Sequence, residues 1–480
     1  MATQSPPPLT VPSWIDGAEK THETTFAVIA PSTSNVCWNA ASASPADALL
    51  AVEAAAAALP AWKASKPMRR RAILLRAAAL MEERADELSG YMSTEMGADA
   101  AFARHLVLEL AIAMLRDCAA RAPTVCGSVQ AVETEGQSAM VWKEPYGVVL
   151  GIVPWNAPYV FGVRAAATAM ATGNTTVLKA SEMTPRCYWA LGKILHDAGA
   201  PAGVVNIISS CPSDAPDLAR AMVEHPAVKK INFTGSATVG RKVARLCSDN
   251  LKPVLLELGG KNSAIILPDA DLEKAARACI VGGFANAGQI CMSTDRLIIH
   301  ADIAPEFLQV LKKSLAAAQA ASPSLPLVAS AASAARLGSV VADAQARGAH
   351  VFSGGPNPPG KAAHFAPTVL GGLSSDMDAS REENFGPLMG YVTVTSEEEA
   401  VEVTNGSGYG LSASVFTRDL RKGFALAKKL ECGAVHINSM TVQDEVALPF
   451  GGVNRSGWGR FNAAEGMEEF LVTKCVTWDD

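Results

Sequence analysis

Several features that would tie a chain to a metal, a membrane or a nucleic acid are missing here. None of the ten cysteines, at 37, 118, 126, 187, 211, 247, 279, 291, 432 and 475, forms a Cys-x-x-Cys pair. Zinc and dithiol redox chemistry therefore lack support. A disulfide framework does not suit an intracellular chain of 480 residues, so most of these thiols are expected to be small buried hydrophobes. The eight histidines have no ligand spacing, and no metal is expected. Net charge is −6 and no basic stripe occurs, which argues against nucleic acid as a partner. Met1 to Pro12 carries no Lys or Arg and no apolar core, so it does not read as a signal peptide. The Ala-rich stretches, such as Ala54–Leu59, are too short to span a bilayer. Thr477-Trp478-Asp479-Asp480 carries no peroxisomal or retention address. A cytoplasmic location without a membrane partner is the expectation. No Gly-x-Gly-x-x-Gly fingerprint and no repeat of about 20–50 residues occurs.

What is present is a large apolar fraction, 49%, enough for two or three domains. The first segment reads as helical. Ser44 caps an Ala-rich run with Pro45 in its first turn, a second helix covers about 68–95, and a third about 98–119. From Gly147 the pattern changes. Strands are expected at Gly147–Val153, Thr175–Leu178, Val204–Ile208, Lys230–Phe233 and Pro253–Leu256, with helices between them. Such alternation implies parallel strands and right-handed crossovers. Ligands then bind beyond the carboxyl ends of the strands. Pro154–Pro158, Lys179–Glu182 and Thr234–Gly240 all follow strands, so all fall on that edge. Alternation restarts after Glu257 and continues to about Asn438, which suggests a second α/β domain. Gln130–Trp142 and the tail Phe470–Trp478 read as a small antiparallel extension. Ala321–Leu337 reads as a surface turn and helix start.

The chemistry-bearing residues lie between and at the edges of these units. Cys291 sits in Gly288-Gln289-Ile290-Cys291-Met292-Ser293, and Glu257, 34 positions earlier (291 − 257), sits in Glu257-Leu258-Gly259-Gly260-Lys261. A thiolate attacks carbonyl carbon, and a carboxylate can activate the water that later releases the product. Glycines let backbone approach both groups. In Pro154-Trp155-Asn156-Ala157-Pro158, Asn156 offers an amide for a developing oxyanion. The three motifs, in this order, resemble the aldehyde dehydrogenase superfamily, over roughly Trp14 to Trp478.

The resemblance implies an α/β fold with a Rossmann-like cofactor domain (1–127 and 146–256), an α/β catalytic domain (257–465) and a small antiparallel β oligomerisation extension (128–145 and 466–480). It implies oxidation of an aldehyde to its acid with NAD, NADP remaining open, in a homodimer or homotetramer. Trp155 is expected in the cofactor site. Lys179 and Glu182 would hold the adenosine ribose, Glu182 favouring NAD because a carboxylate repels a 2′-phosphate. Gly235 and Ser236 would face the pyrophosphate at a helix N-terminus. Leu258 would contact the cofactor. Glu383, in Glu382-Glu383-Asn384-Phe385-Gly386-Pro387, would bind the nicotinamide ribose, with Phe385 near the ring.

Pro449-Phe450-Gly451-Gly452 and Ser456-Gly457-Trp458-Gly459-Arg460 match the family's C-terminal signature. Residue 232 is Asn where the family has Gly, 454 is Asn where Lys is usual, and 461 is Phe where Glu is common. Gly457–Phe470, Gly162-Val163-Arg164-Ala165 and Gln443-Asp444-Glu445 resemble the branch acting on salicylaldehyde, vanillin and related aromatic aldehydes. Phe161, Arg164 and Phe450 would line the substrate pocket. Arg164 has two readings: it meets a ring hydroxyl or carboxylate of the substrate, or it pairs with a nearby acid. The alternatives kept open are a semialdehyde or aliphatic aldehyde dehydrogenase, a coenzyme-A-acylating enzyme, and a catalytically silent scaffold. Glu257 argues against thiol-dependent release, which needs no activated water.

Overall fold

Short β-branched runs buried on both faces, each followed by a capped or Pro-started helix, set the architecture. Val148–Ile152 and Thr175–Lys179 are almost wholly buried, and the helices after them, Pro158–Ala171 and Pro185–Asp197, each open on proline. The computed structural model describes residues 9–322, 324–355 and 363–479.

The first sheet has eight strands in the order Gly457–Trp458, Val254–Leu258, Val228–Gly235, Val148–Ile152, Thr175–Lys179, Val205–Ile208, Ser13–Ile15 and Ala18–Lys20. Its five central strands are parallel. Chain order runs outward from Val148–Ile152 in one direction, then returns to its other side at Val228–Gly235. That reversal is a topological switch point, where the loops after the two strands part and leave a crevice. The arrangement is Rossmann-like, with Pro154–Asn156 and Gly235–Ser236 on the two lips.

The second sheet has seven strands: His350–Ser353, Thr368–Gly371, Leu388–Val394, Thr294–His300, Asn262–Ile266, Ser412–Phe416 and Ala434–Ile437. All its pairings are parallel except the first. The chain passes from the first sheet to the second through just three residues, Gly259, Gly260 and Lys261, between Leu258 and Asn262. A third sheet pairs Gln137–Pro145 antiparallel with Leu471–Asp479 on one side and Ser128–Gln130 on the other. Among the described residues no helix is long and apolar enough to cross a membrane.

Four local expectations are corrected. The first segment is not purely helical: short strands from Thr10 to Ser42 precede the Ser44-capped helix Pro45–Lys63. Their alternation is weak because several, such as Thr24–Ile29, are largely exposed. The helix expected over 68–95 is two helices, Pro67–Glu83 and Ala85–Met96, broken at Arg84 (φ −106°, ψ 19°), whose guanidinium pairs with Asp197 at 2.7 Å. The third helix opens with a π-helical turn, Phe102–Leu108, before Glu109–Arg121. Finally, Gly457–Trp458, placed by sequence with the second unit, pairs antiparallel with Val254–Leu258 of the first sheet. Gly457 permits this with φ 101°, since a Cβ there would lie 2.1 Å from the Leu256 carbonyl oxygen.

Candidate active site

The three-residue crossing between the sheets brings Glu257, at the end of one strand, close to Cys291, which precedes a strand of the other sheet. Two cavities meet there. An inner one of about 390 Å³ is lined by Trp155, Gly235, Ser236, Leu258, Glu383 and Phe385, among others. An outer one of about 360 Å³ is walled by Phe102, Leu106, Leu110, Val442 and Phe450, among others. Asn156, Phe161 and Cys291 line both. The thiol therefore stands at a junction open to a ligand on either side.

The cysteine loop is held from beneath. Asn262 Nδ2 donates to the carbonyl oxygens of Cys291 (2.8 Å) and Ser293 (2.9 Å), while its Oδ1 accepts from the Ser412 N–H (3.1 Å). Thr441 Oγ1 donates to the Met292 carbonyl at 2.7 Å. Ahead of the loop, Asn286, Ala287 and Gly288 are all left-handed (φ 49°, 55° and 68°). Such a run is costly for side-chain-bearing residues. At Gly288 a Cβ would meet the Gly386 carbonyl oxygen at 2.1 Å. The turn thus seats against the Glu383–Pro387 loop. Asn156 Nδ2 donates to the Gln289 carbonyl at 3.0 Å. An amide nitrogen has two hydrogens, so this bond orients the second.

The ionisable groups of this enclosed space are buried and act on one another. Burial pushes the Glu257 carboxyl up to about 7, opposed by the Arg164 guanidinium. The Cys291 thiol is raised well above its ordinary value, first by burial and then by the Glu257 charge. Burial and the nearby Asp295 carboxylate push Glu383 up to about 8. Glu383 Oε1 accepts from the Gly260 N–H at 3.3 Å, and a Cβ on Gly259 would lie 2.1 Å from its Oε2. Ser236 caps the helix Ala237–Asp249 by accepting from the Val239 N–H at 3.3 Å. The Trp155 and Phe385 rings meet edge to face at 5.8 Å. Lys179 and Glu182 do not line the inner cavity. They sit one strand over, 3.8 Å apart, with Lys179 beside Ile152 in the sheet.

The sequence profile described as Aldehyde dehydrogenase family matches residues 14–476. The chain belongs to the aldehyde dehydrogenase family. It is 42% identical over 460 residues to a vanillin dehydrogenase from Pseudomonas sp. strain HR199, covering 95% of this chain and 94% of that one. The crystal structure of a salicylaldehyde dehydrogenase from Pseudomonas putida G7, complexed with salicylaldehyde, matches with TM-score 0.94 at 34% identity over 98% of each chain. An Escherichia coli NADP-dependent enzyme matches with TM-score 0.94 at 29% identity, also over 98% of each. This aldehyde dehydrogenase accordingly belongs among enzymes that use NAD(P).

Of the expected pocket residues, Phe161, Arg164 and Phe450 all reach the outer cavity. Arg164, however, is already engaged: its guanidinium forms a buried ion pair with Asp444. The reading in which it pairs with a nearby acid is the one the structure follows. Sequence reasoning missed Asn262, Gln289 and Asp444, whose roles depend on contacts distant in sequence. Ala321–Leu337 does contain a helix start, at Ala331, but it is not wholly a surface segment. Helix Ala331–Ala346 places Ser333 and Arg336 on the inner cavity wall, Arg336 donates to the Asn384 carbonyl, and Leu337 is fully buried against Gly386. Its mixed Ala/Ser composition hid that burial.

Because the Glu257 charge adds to burial in raising the Cys291 thiol, Glu257→Gln should lower the Cys291 pKa. Iodoacetamide labelling of Cys291, followed by peptide mass spectrometry across pH, should show its midpoint displaced to lower pH. An unmoved or upward-moved midpoint contradicts this coupling.

Proposed function

We propose that this aldehyde dehydrogenase oxidises aromatic aldehydes to carboxylic acids with NAD, using Cys291 as nucleophile, Glu257 as base and Asn156 as oxyanion donor. The observation that carries the reading is the placement of Cys291 between an aromatic-walled outer cavity and an inner cavity at the sheet's switch point. The names of the vanillin and salicylaldehyde relatives point the same way.

The inner cavity suits a dinucleotide. A capped 13-residue helix opens onto it, Trp155, Leu258 and Phe385 offer apolar surface, and Gly259 leaves space that the Glu383 carboxylate fills. Gly235 and Ser236 would face the pyrophosphate, Glu383 the nicotinamide ribose, and Lys179 with Glu182 the adenosine ribose. The chemistry that a nicotinamide dinucleotide supplies when bound is acceptance of a hydride.

The chain's own residues do the rest. Cys291 Sγ, as thiolate, bonds to the aldehyde carbon, and the carbonyl oxygen becomes an oxyanion. The free Asn156 Nδ2–H and the Cys291 N–H stabilise it. Once the carbon is oxidised, the acyl group is a thioester on Sγ. Glu257 takes a proton from water, the water oxygen adds to the acyl carbon, and the C–S bond breaks to return the thiolate and release the acid. A carboxyl poised near 7 is well matched to that proton transfer.

The subunit is proposed to assemble through the three-stranded sheet, which leaves Val129, Trp142 and Trp478 exposed. An apolar patch of this kind is usual at an interface. A Trp142→Glu/Trp478→Glu variant should sediment as a smaller species than wild type, and unchanged sedimentation contradicts this surface.

Benzaldehyde should exceed acetaldehyde by about tenfold or more in kcat/KM, through differential transition-state binding. Phe161→Ala/Phe450→Ala should lose that preference, and Cys291→Ser should keep less than about a tenth of kcat. Equal efficiency on the two aldehydes contradicts the aromatic assignment. Glu182→Gln should raise the NADP/NAD ratio of kcat/KM by removing the charge that faces a 2′-phosphate. A ratio equal to wild type's places Glu182 outside the ribose site.

A further inference from the structure

The outer cavity carries a buried ion pair whose arrangement has a consequence for which aldehydes can enter. Arg164 projects from helix Pro158–Ala171 with its side chain 2% exposed. Its guanidinium carbon lies 4.6 Å from the Phe450 ring centroid, 5.3 Å from Phe461 and 5.7 Å from Phe161. Phe461, where Glu is common in the family, gives this cation an aromatic neighbour. The neutralising charge comes from Asp444, itself 7% exposed. Asp444 is fixed by a second bond, its Oδ1 accepting from Asn462 Nδ2 at 2.8 Å. Arg164 and Asp444 both line the cavity. Among the described residues lining it, the other basic side chain is His105, which is exposed and joined to Glu109 at 2.8 Å.

We propose that Asp444 is a specificity-determining residue: by occupying Arg164 it makes the cavity reject aldehydes that carry an anionic substituent. The proposal rests on the reading that aromatic aldehydes enter the outer cavity, and it adds which of them are refused. A substrate carboxylate there meets no uncompensated positive charge and stands beside the Asp444 carboxylate. It loses its hydration and gains a like-charge neighbour, and both disfavour its entry. An uncharged ring instead packs on Phe161, Phe450 and the flat guanidinium. Arg164 lines the cavity and, among the described residues, its charge is paired with Asp444 alone, so neutralising Asp444 leaves that charge uncompensated. The same arginine would thus receive an anion if the aspartate charge were removed.

The test compares 4-formylbenzoate, its methyl ester and benzaldehyde at pH 8, by kcat/KM. In wild type the ester should exceed the acid by about a hundredfold, although it is the larger molecule. In Asp444→Asn that ratio should fall at least tenfold, because the acid gains relative to the ester. In Arg164→Met/Asp444→Asn the ratio should return toward wild type, because no cation remains. Each ratio is taken within one protein, so a general loss of activity cancels. Removing Asp444 leaves a buried cation unpaired, which destabilises the fold. If Asp444→Asn does not fold, the wild-type comparison decides. Acid and ester within about threefold of each other in wild type overturn the proposal, as does an unchanged ratio in an active Asp444→Asn. Wild type inert toward all three compounds contradicts the aromatic reading and this inference with it. Wild type active on benzaldehyde but indifferent to charge contradicts this inference alone.

Discussion

One negative charge, in an enclosed space where two acids stand side by side, governs the site. Glu257 and Cys291 are both pushed upward by burial, and the charge of Glu257 pushes Cys291 further. Two anions this close and this dry repel each other, so ionisation of one suppresses the other. The proposed chemistry needs each to be anionic at a different stage: the thiolate to attack, the carboxylate to accept a proton from water. Arg164 favours the charged form of both groups, while Asp444 opposes it at Glu257. The ion pair in the outer cavity therefore bears on reactivity as well as on which aldehydes fit.

The fold supplies the closeness. Parallel strands end at one edge, and a chain that leaves Leu258 and re-enters a strand at Asn262 places two sheets' edges together because the crossing is short and its two glycines take no space. Gly259 meets this condition against Glu383 and Gly260 against Asn262, while in the turn before Cys291 Gly288 allows the same closeness to Gly386. Asn262, the first residue of the second sheet's strand, then reaches back to hold the backbone of Cys291 and Ser293. The same few residues end one sheet, begin the other and fix the nucleophile's loop.

The sheets from Gly147 onward were legible because buried strands and capped helices announce themselves locally in composition. Cys291, Glu257 and Asn156 stood out because their three motifs, in order, resemble the aldehyde dehydrogenase superfamily, and glycine and proline within them mark where backbone turns or approaches closely. Other features were not. The strands between Thr10 and Ser42 lacked clear alternation, since much of their surface is exposed. The break at Arg84 has no proline or glycine to signal it. The π-helical turn at Phe102–Leu108, which puts Phe102 and Leu106 on the outer cavity, has the composition of an ordinary amphipathic helix. The partner of Arg164 lies 280 positions away. Two readings of that arginine were therefore open from the sequence, and only tertiary packing separated them.

Single-turnover kinetics of Glu257→Gln test the central claim most directly, because the amide keeps the shape of the carboxyl and loses its capacity as a base. Mixed with NAD and benzaldehyde, the variant should give a burst of NADH close to one equivalent per active site, followed by a steady state slowed at least about a hundredfold. Acid-quenched enzyme should carry the benzoyl group on Cys291. Loss of the burst together with turnover, or a variant that turns over as fast as wild type, would contradict the role given to Glu257 as the base for acyl release.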